Sequence, residues 1–331
     1  MSMLKSVKRN ICLGVATLLT AGLMSTASIA SAASVYEGKK VIFIPIAMGI
    51  TLTEGWSKGM EEQAKLNGFD YEVRDAAFNM KAMSEIFAKA INDKPDIIVA
   101  HNPTVQLLAR LIRQAESNGI KVLQINLQSN QKSTAFVGAN WSRIGREVAE
   151  DIVAACGEGS GKSGKVAIIP GQLTAADSVM MNEATMAVFE KHPEIEVVSN
   201  QASDWEPEKA RQITATVLQQ NPDLCAVFGH WGIHTIGAGN AVKDAGKADD
   251  VLVYATGGGN RVICNNIEAG VIDRYWSYNA DGQGRDAGTM LRLMMQGAVP
   301  PEGGMLEVES PLIVIKKESF QPQQCWDLPA K

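Results

Sequence analysis

Short apolar runs alternate with amphipathic stretches along most of the chain. The runs VIFIPIA from Val41 and IIVA from Ile97 predict buried strands, because turn residues bound each run too closely for a helix. Residues 54–67 have a helical pattern that ends at a glycine. The alternation continues to a strand from Ile120, and Pro103 predicts the start of the helix before it. Strands that alternate with helices in this way predict a parallel, doubly wound unit.

The second half of the chain repeats this pattern. NPDLCAVFGH from Asn221 has the form of KPDIIVAH from Lys94, in which a Pro-Asp turn precedes a short apolar run that ends in histidine. Strands and helices alternate again from Asn140 to Tyr278, which predicts a second lobe of the same α/β class. The fold expected is two Rossmann-like lobes with parallel sheets. Because ligands bind beyond the carboxyl ends of parallel strands, we expect a cleft between the lobes.

The sequence predicts that the chain crosses between the two lobes three times. Candidate crossings lie near Gly138, Asn279 and Ser310, where predicted elements of one lobe give way to those of the other. Three connecting strands predict a hinge, because each of them must bend rather than slide when the lobes move. The expected lobes are residues 36–138 with 279–310, and residues 139–278 with 311–331.

The N-terminus has the three parts of a secretory signal peptide. A segment with three basic residues precedes an apolar stretch at 11–24, and Ala30-Ser31-Ala32 is typical of a cleavage site. We expect residues 1–32 to be removed and the protein to be exported to the periplasm. A retained membrane anchor is the alternative, and the apolar stretch is too short to favour it.

The charge balance argues against one class of partner. The signal segment contains three of the 31 basic residues and none of the 36 acidic residues, so the remainder has a net charge of −8. That remainder has no basic block, and nucleic-acid binding requires a positive surface. No later apolar run approaches the length of a membrane span. We therefore expect an exported protein that is neither anchored nor bound to nucleic acid.

Four cysteines remain once Cys12 is removed with the signal segment. In an oxidising compartment three complete pairings of Cys156, Cys225, Cys264 and Cys325 are possible, and their spacing matches no metal-binding pattern. Cys264 and Cys325 fall in a helix start and an irregular tail, which favours a disulfide between them. Buried unpaired thiols are the alternative for all four cysteines.

Two glycine-rich segments resemble nucleotide-binding motifs. GSGKSG from Gly159 follows a predicted helix and precedes a strand, which is the reverse of the order that a dinucleotide site requires. Gly282, Gly284 and Ala287 follow a strand and open a helix, so a nicotinamide-dependent periplasmic enzyme is a less favoured alternative. This second motif lies in the last quarter of the chain, and a tight helix start without a cofactor is the preferred interpretation.

Neither metal chemistry nor catalysis has a clear signature. His230 and His234 have the spacing of metal ligands on one helical face, but no third ligand lies near them in the sequence. We instead expect His230 at a helix start that faces the cleft, with His234 behind it. No set of nucleophile, base and orienting residue is recognisable, so we expect no enzyme activity, no metal and no cofactor.

Aromatic and amide residues recur where predicted strands lead into helices. Aromatic rings cover the apolar face of a sugar or polyol, and amides both donate to and accept from hydroxyl groups. The pattern predicts a site for a neutral polar ligand. Tryptophans that fill the core and asparagines that cap helices are the alternative, most of all for Asn140. The residues are Asn102, Asn126, Asn140, Asn182, Trp205, Trp231, Asn260 and Tyr278.

Six segments in order resemble the periplasmic sugar-binding proteins of the ribose and galactose type, which feed ABC importers. The resemblance covers nearly the whole chain after the signal segment. It implies the type I periplasmic binding protein fold, with two Rossmann-like lobes joined by three strands and closing on a monosaccharide-like ligand. The segments are GMEEQAKLNGFD from Gly59, IIVAHNPT from Ile97, NGIKVLQIN from Asn118, FVGANWSRIGREVAEDI from Phe136, NPDLCAVFGHWGIHTIGAGNAVKDAG from Asn221 and AGVIDRYWSYNADGQG from Ala269.

The resemblance also implies pocket positions, some of which depart from the family pattern. Relatives that bind pyranoses often carry Asp-Arg at Asn126-Leu127, Arg at Met180 and Asp at Gly257, and losing these charged groups removes strong anchors for hydroxyls. We therefore expect a sugar alcohol, a deoxy or furanose sugar, or a less hydroxylated solute. The implied positions are Leu52, Thr53, Asn102, Asn126, Trp205, Trp231, Gly257 and Tyr278.

The preferred function is a non-enzymatic, monomeric solute-binding protein that delivers a small neutral sugar or polyol to the permease of an ABC importer. A ligand sensor that signals to a membrane kinase is an alternative with the same fold. Related DNA-binding repressors share such lobes, but a signal segment in place of a helix-turn-helix excludes that role.

Overall fold

The computed structural model describes residues 35–328 of the protein. The predicted signal peptide at residues 1–32 lies outside the described residues, as do residues 33, 34 and 329–331. Between residues 35 and 328, none of the helices combines the length and the apolar character that a bilayer crossing requires.

Strands and helices alternate through most of the described chain. The strands are β1 (Lys40–Ile44), β2 (Asp70–Val73), β3 (Ile97–Ala100), β4 (Lys121–Ile125), β5 (Ala135–Gly138), β6 (Lys165–Ile169), β7 (Glu196–Asn200), β8 (Ala226–Gly229), β9 (Leu252–Gly257), β10 (Arg274–Ser277), β11 (Leu306–Glu309) and β12 (Ile313–Lys316). The helices are α1 (Thr51–Asn67), α2 (Met80–Asn92), α3 (Ala109–Ser117), α4 (Trp141–Cys156), α5 (Ala176–Phe189), α6 (Pro207–Gln220), α7 (Gly232–Asp244), α8 (Arg261–Glu268) and α9 (Ala280–Met295).

Each lobe is built on one six-stranded sheet. The first sheet has the order β11-β5-β4-β3-β1-β2, and every pairing in it is parallel. The second has the order β12-β10-β9-β8-β6-β7, in which only β12 runs antiparallel to its neighbour. The prediction of two α/β lobes with largely parallel sheets is confirmed.

Burial along the strands explains why their sequences are apolar at nearly every position. Strands β3, β5 and β8 are buried at every position, as expected of parallel strands covered by helices on both faces. The edge strands β2 and β7 are mostly exposed or partly buried, and their sequences are correspondingly more polar. The apolar residues between sheets and helices form the core of each lobe.

The chain passes from one lobe to the other at three places. These are the segments between β5 and α4, between β10 and α9, and between β11 and β12. After the second crossing, α9 packs on α1 and on β4 and β5 of the first lobe. The hinge function of these segments and the lobe boundaries drawn from the sequence stay predictions.

Two helices begin elsewhere than the sequence indicated. Helix α1 begins at Thr51, three residues before the predicted start. Helix α3 begins only at Ala109, so the prediction that Pro103 opens this helix is wrong. The physical reason is that the loop before α3 forms hydrogen bonds outside the helix. The Val105 amide donates to the Thr174 carbonyl of the other lobe at 3.1 Å.

Two disulfides lie in the second lobe. Cys264 of α8 is paired with Cys325 of the C-terminal segment, the pairing that the sequence favoured, with a Cα–Cα distance of 6.3 Å. Cys156 at the end of α4 is paired with Cys225, which immediately precedes β8, with a Cα–Cα distance of 5.9 Å. The second pairing was not singled out in the sequence, where buried thiols were the alternative for all four cysteines.

Glycines of the Gly282 motif serve helix packing. A Cβ on Gly284 would lie 2.5 Å from the carbonyl oxygen of Gly55, and one on Gly59 would lie 2.3 Å from the carbonyl carbon of Gly284. Only glycine therefore allows α1 and α9 to approach this closely. The Asn279 side chain accepts from the Gly282 amide and caps α9. This contact set explains the motif without a nicotinamide cofactor.

The C-terminal segment returns to the first lobe. The Trp326 amide donates to Gly259 at 3.1 Å, and its indole Nε1 donates to the carbonyl of Gly258. The six-membered ring of Trp326 lies so close to α1 that a Cβ on Gly55 would be 2.8 Å from it. The segment fixed by the Cys264–Cys325 disulfide thus contacts both lobes.

Candidate functional site

A cavity of about 450 Å³ lies between the two lobes, at the carboxyl ends of the strands. Loops after β1, β2, β3 and β4 line it from the first lobe, and loops after β6, β7 and β8 line it from the second. Trp141 and Tyr278, at two of the three crossings, form part of its wall. The lining is largely apolar with a few polar side chains, as is typical of small-molecule sites.

Six of the predicted site residues line this cavity. From the first lobe come Leu52 and Asn126, and from the second come Trp205, His230 and Trp231. Tyr278 reaches the cavity from the crossing before α9. The structure therefore brings together residues that are far apart in the sequence.

Four other predicted residues have structural partners instead. Thr53 is buried and its hydroxyl donates to Ala47 at 2.7 Å, just after β1. Asn140 caps α4 by accepting from the Arg143 amide, and its amide nitrogen donates to Glu309 at 2.8 Å. Asn182 accepts from the Asn200 side chain at 3.4 Å, and Asn260 caps α8 by accepting from the Ile263 amide at 3.2 Å.

Two further predicted residues act from behind the lining. Asn102 is fully buried, and its amide nitrogen donates to Gln124 at 2.9 Å and to the Leu127 carbonyl at 3.0 Å. Gly257 has a φ of +149°, and a Cβ there would lie 2.5 Å from the Tyr275 hydroxyl and 3.3 Å from the Trp231 ring. Asn102 therefore supports the loop that carries Leu127, and Gly257 leaves room for the indole of Trp231.

Trp205 and Trp231 are held against each other by His234. The rings of Trp205 and Trp231 meet edge to face with centroids 6.1 Å apart, and Trp205 stacks on His234 at 5.6 Å. The His234 Nε2 accepts from the Trp231 amide at 3.1 Å, and its Nδ1 lies 2.7 Å from the Ser203 hydroxyl. Burial lowers the pKa of His234 to about 3, so the ring is neutral at pH 7.

These contacts also bear on the metal alternative for His230 and His234. Both nitrogens of His234 are engaged by protein groups, which leaves no lone pair for a metal ion. Within residues 35–328 there is no group of three metal-ligating side chains. The spacing of the two histidines is better explained by their roles in the cavity wall and behind it.

The loop before α6 places Trp205 in an unusual backbone conformation. Asp204 and Trp205 have φ values of +53° and +66°, a left-handed region that bulky residues rarely occupy. A Cβ on Gly171 would lie 2.1 Å from the Trp205 ring, so glycine is needed where the loop after β6 passes it. Strained backbone of this kind is typical of ligand sites, and here it directs an indole into the cavity.

The wall at the crossings forms a second aromatic pair. Trp141 and Tyr278 meet edge to face with centroids 5.2 Å apart, and the Trp141 indole donates to the Asn126 carbonyl at 2.9 Å. Asn126 has a φ of +62°, and its side-chain oxygen accepts from Gln283 of α9 at 3.3 Å. Burial raises the pKa of Tyr278 well above its usual value, so its hydroxyl stays protonated. The two crossings and the loop after β4 therefore share one polar network.

Three polar residues of the lining are buried with unsatisfied atoms. Within the described residues, His101 Nδ1, both ring nitrogens of His230 and Asp177 Oδ1 have no hydrogen-bond partner. Burial lowers the pKa of each of these histidines to about 3 and raises the pKa of Asp177 to about 7. Leaving a buried polar atom unpaired costs about 1–3 kcal/mol, so a new hydrogen bond to any of these atoms would be favourable.

The sequence indicated only one of these three residues. His101 follows β3 directly, but the adjacent Asn102 was chosen because amides suit hydroxyl groups. Asp177 lies in the first turn of α5, where an acidic residue is common for helix reasons alone. Burial of a polar atom without a partner is a property of the folded chain, and nothing in the sequence signals it.

The chain was compared with known proteins. The sequence family described as "Periplasmic binding protein domain" matches residues 41–298. The D-allose-binding periplasmic protein of Escherichia coli is 27% identical over 212 residues, which are 61% of this chain and 67% of that protein. The ribose import binding protein of Bacillus subtilis is 24% identical over 208 residues, which are 63% of this chain and 66% of that protein.

Solved structures show the same fold. GanP, a glucose-galactose binding protein from Geobacillus stearothermophilus, superposes with a TM-score of 0.77 at 20% sequence identity. The superposition covers 86% of this chain and 99% of GanP. Since the family match spans most of the chain and the folds agree, the chain belongs to the periplasmic binding protein family, a family of binding proteins rather than enzymes.

Proposed function

We propose that this protein binds a sugar or sugar-like polyol in the cavity between its lobes and delivers it to an ABC importer. The observation that carries the proposal is the cavity itself, which is lined by indole rings and by residues with buried, unsatisfied polar atoms. A volume of about 450 Å³ lies within the range for small-molecule sites, which is about 300–1,000 Å³. The relatives named for D-allose and ribose support the choice of a sugar.

The lining suits a ligand with an apolar face and a hydroxylated edge. The rings of Trp205 and Trp231 line the cavity and give it apolar wall, against which the C–H groups of a sugar pack well. The neutral imidazoles of His101 and His230 each offer one donor and one acceptor, which pair with hydroxyl groups. Leu127 lines the cavity where family members that bind pyranoses often carry arginine, which favours a less hydroxylated sugar.

Binding and closure are coupled in this proposal. Trp205, Trp231 and His230 belong to one lobe, while His101 and Leu127 belong to the other, so only a closed molecule presents both halves to the ligand. A ligand that contacts both halves shifts the population toward the closed state. The three crossings are the proposed hinge, and the Val105–Thr174 backbone bond joins the lobes in the closed state.

The test is calorimetry on protein that has been stripped of any solute that copurifies with it. Sugars and polyols are titrated as single compounds, and we expect at least one saturable isotherm in the micromolar range, equivalent to about −8 kcal/mol. Trp231→Ala should weaken that isotherm at least tenfold, because it removes a wall of the cavity. Asn182→Ala should not, because the structure places Asn182 away from the lining.

Mass spectrometry of the copurified solute is an independent test of the proposed function. A sugar or polyol released by denaturation supports the proposal and identifies the ligand. The absence of any such solute, together with flat isotherms across the panel, would overturn the proposed function.

We propose the importer role over the sensor role because the relatives are named as import or periplasmic binding proteins. The proposed partner is a permease, the proposed location is the periplasm, and the proposed state is a monomer. Pull-down of a permease encoded beside this gene supports transport, whereas capture of a membrane kinase alone would support sensing.

A further inference from the structure

Asp177 is the one buried carboxylate in the cavity lining of the described chain. Its side chain is 95% buried, since its relative exposure is 5%, and its Oδ1 accepts no hydrogen bond among the described residues. It does not cap α5, because the N-cap position of that helix is Ala175. Backbone amides at Asp177 and Ser178 lower its pKa, but burial outweighs them and the pKa is raised to about 7.

Among the described residues, no basic side chain forms an ion pair with this carboxylate. Among the described residues that line the cavity there is no lysine or arginine. The titratable groups that share the cavity are acidic or neutral at pH 7. Glu206 and Asp204 lie at its exposed edge, where Asp204 forms an ion pair with Lys209. His101, His230 and Tyr278 are uncharged there, because burial lowers the pKa of both histidines and raises that of the tyrosine.

The same cavity is lined by several aromatic side chains. Trp205 and Trp231 form one edge-to-face pair, and Trp141 and Tyr278 form another. Indole and phenol rings attract cations over their faces, most strongly where water is excluded. Aromatic rings beside an unpaired carboxylate, with no basic side chain, make an environment that favours a positive charge.

We propose that the sugar-like solute carries a protonated amine and that Asp177 is its counter-ion. The inference rests on the proposed function, since it assigns a chemical class to the ligand of that same cavity. The amine donates to Asp177 Oδ1, the atom that the protein leaves unpaired, and its charge neutralises the carboxylate. The hydroxyls of the solute remain for His101 and His230. The ligand class is therefore an amino sugar or an amino polyol rather than its neutral parent.

The experiment compares matched sugars on the full-length mature protein after solute removal. The probes are D-glucosamine, D-galactosamine and D-mannosamine, each with its parent hexose and its N-acetyl derivative, titrated by calorimetry at pH 7. We expect at least one amine to bind tenfold or more tightly than both its parent and its N-acetyl form. The N-acetyl form isolates charge, because it keeps the nitrogen and loses the proton.

The matched variants are Asp177→Asn and Asp223→Asn. Asp177→Asn keeps the shape of the side chain and should weaken binding of the amine at least tenfold more than it weakens binding of the parent sugar. Asp223→Asn makes the same change on an exposed acid beside Lys165, and should leave every isotherm unchanged. Thermal unfolding of both variants shows whether they remain folded.

A pH series adds a readout that a structural role for Asp177 would not move. The wild-type affinity for the amine should rise between pH 5 and pH 7, where the carboxyl of the free protein loses its proton while the amine keeps its own. The affinity of Asp177→Asn should stay flat over this range.

The inference is overturned if a parent hexose binds as tightly as its amine, or if Asp177→Asn binds the amine like the wild type. In either case the proposed sugar-binding function stands with a neutral ligand. If no member of the three series binds, and the copurified material contains neither an amine nor a sugar, both the inference and the proposed function fail.

Discussion

The geometry around Trp205 shows how single residues set the binding surface. Gly171 lets the ring lie against the loop after β6, and His234 stacks with the ring. The positive φ at Trp205 turns the indole toward the cavity at the cost of backbone strain. Small and polar neighbours that touch no ligand therefore decide where the aromatic face is presented.

Gly171→Ala should weaken ligand binding more than it weakens folding. A Cβ at this position would lie 2.1 Å from the Trp205 ring, so the indole must move into or away from the cavity. We expect at least a tenfold loss of affinity by calorimetry. The control is Asp223→Asn, a change to an exposed residue of the same lobe that forms an ion pair with Lys165. Unchanged affinity in Gly171→Ala would show that the Trp205 ring does not contact the ligand.

Asp177→Asn should be more stable than the wild type in the ligand-free state, and this difference in stability should grow as the pH rises. Burial raises the pKa of Asp177 from 3.8 to about 7, so between these values the folded protein holds a proton that the unfolded chain releases. The wild type therefore loses stability over this window, by up to about 4 kcal/mol, while the asparagine variant does not.

Urea unfolding of both proteins at pH 4, 6 and 7.5 measures this difference. The buried histidines also titrate, but they are present in both proteins and cancel in the comparison. The two stabilities should converge at pH 4 and separate at pH 7.5. A constant difference across the series would mean that Asp177 ionises normally in the folded protein.

Individual site residues were predictable only in part, for a physical reason. Trp231 and His230 follow a recognisable buried strand, so their position at the cavity could be deduced from the pattern. Asn140 and Asn260 have the same local pattern, yet their side chains cap helices. An asparagine after a strand serves either purpose, and only the direction of its side chain in the fold distinguishes them.

At the scale of elements, loops were harder to predict than strands. Buried strands such as β3 are specified by their own apolar residues, so they appear in the sequence without reference to the rest of the chain. The loop after β3 is specified by a partner 69 residues away, because the Val105 amide bonds to Thr174 rather than starting a helix. Pro103 locally favours the start of a helix, but the contact between the lobes holds this segment as a loop.

The Cys156–Cys225 disulfide ties the end of α4 to the start of β8. A crosslink that encloses 69 residues restricts the unfolded chain, which corresponds to about 4 kcal/mol of stability. The double variant Cys156→Ser/Cys225→Ser should therefore unfold at lower denaturant and still bind ligand, because neither residue lines the cavity. The matched comparison is Cys264→Ser/Cys325→Ser, which opens a crosslink of 61 residues. Equal stability of wild type and the first variant would contradict the prediction.

At the scale of the molecule, the two lobes and a cleft between them could be predicted, but the size of that cleft could not. The repeat of strand and helix along the chain is a local property that appears in both halves of the sequence. The size of the space between the lobes depends on the angle at three crossings, and no residue pattern encodes that angle. The volume of the cavity is therefore a property of the folded chain.

Ligand should make the whole molecule more compact in solution. The first and second lobes contribute separate halves of the lining, so a ligand that contacts both favours closure. Small-angle X-ray scattering of stripped protein, with and without saturating ligand, should show a smaller radius of gyration in the bound sample. Trp231→Ala at the same ligand concentration is the control, and it should respond less. Identical radii would mean that binding occurs without lobe movement.

The C-terminal segment has a consequence for the range of that movement. Trp326 lies against Gly55 of α1 while Cys325 keeps the segment bonded to α8. Lobes that rotate apart must separate the Trp326 ring from α1, and lobes that rotate together press it against a glycine with no side chain to yield. If the lobes rotate as proposed, this segment should limit their angular travel, and reduction of its disulfide should relax that limit.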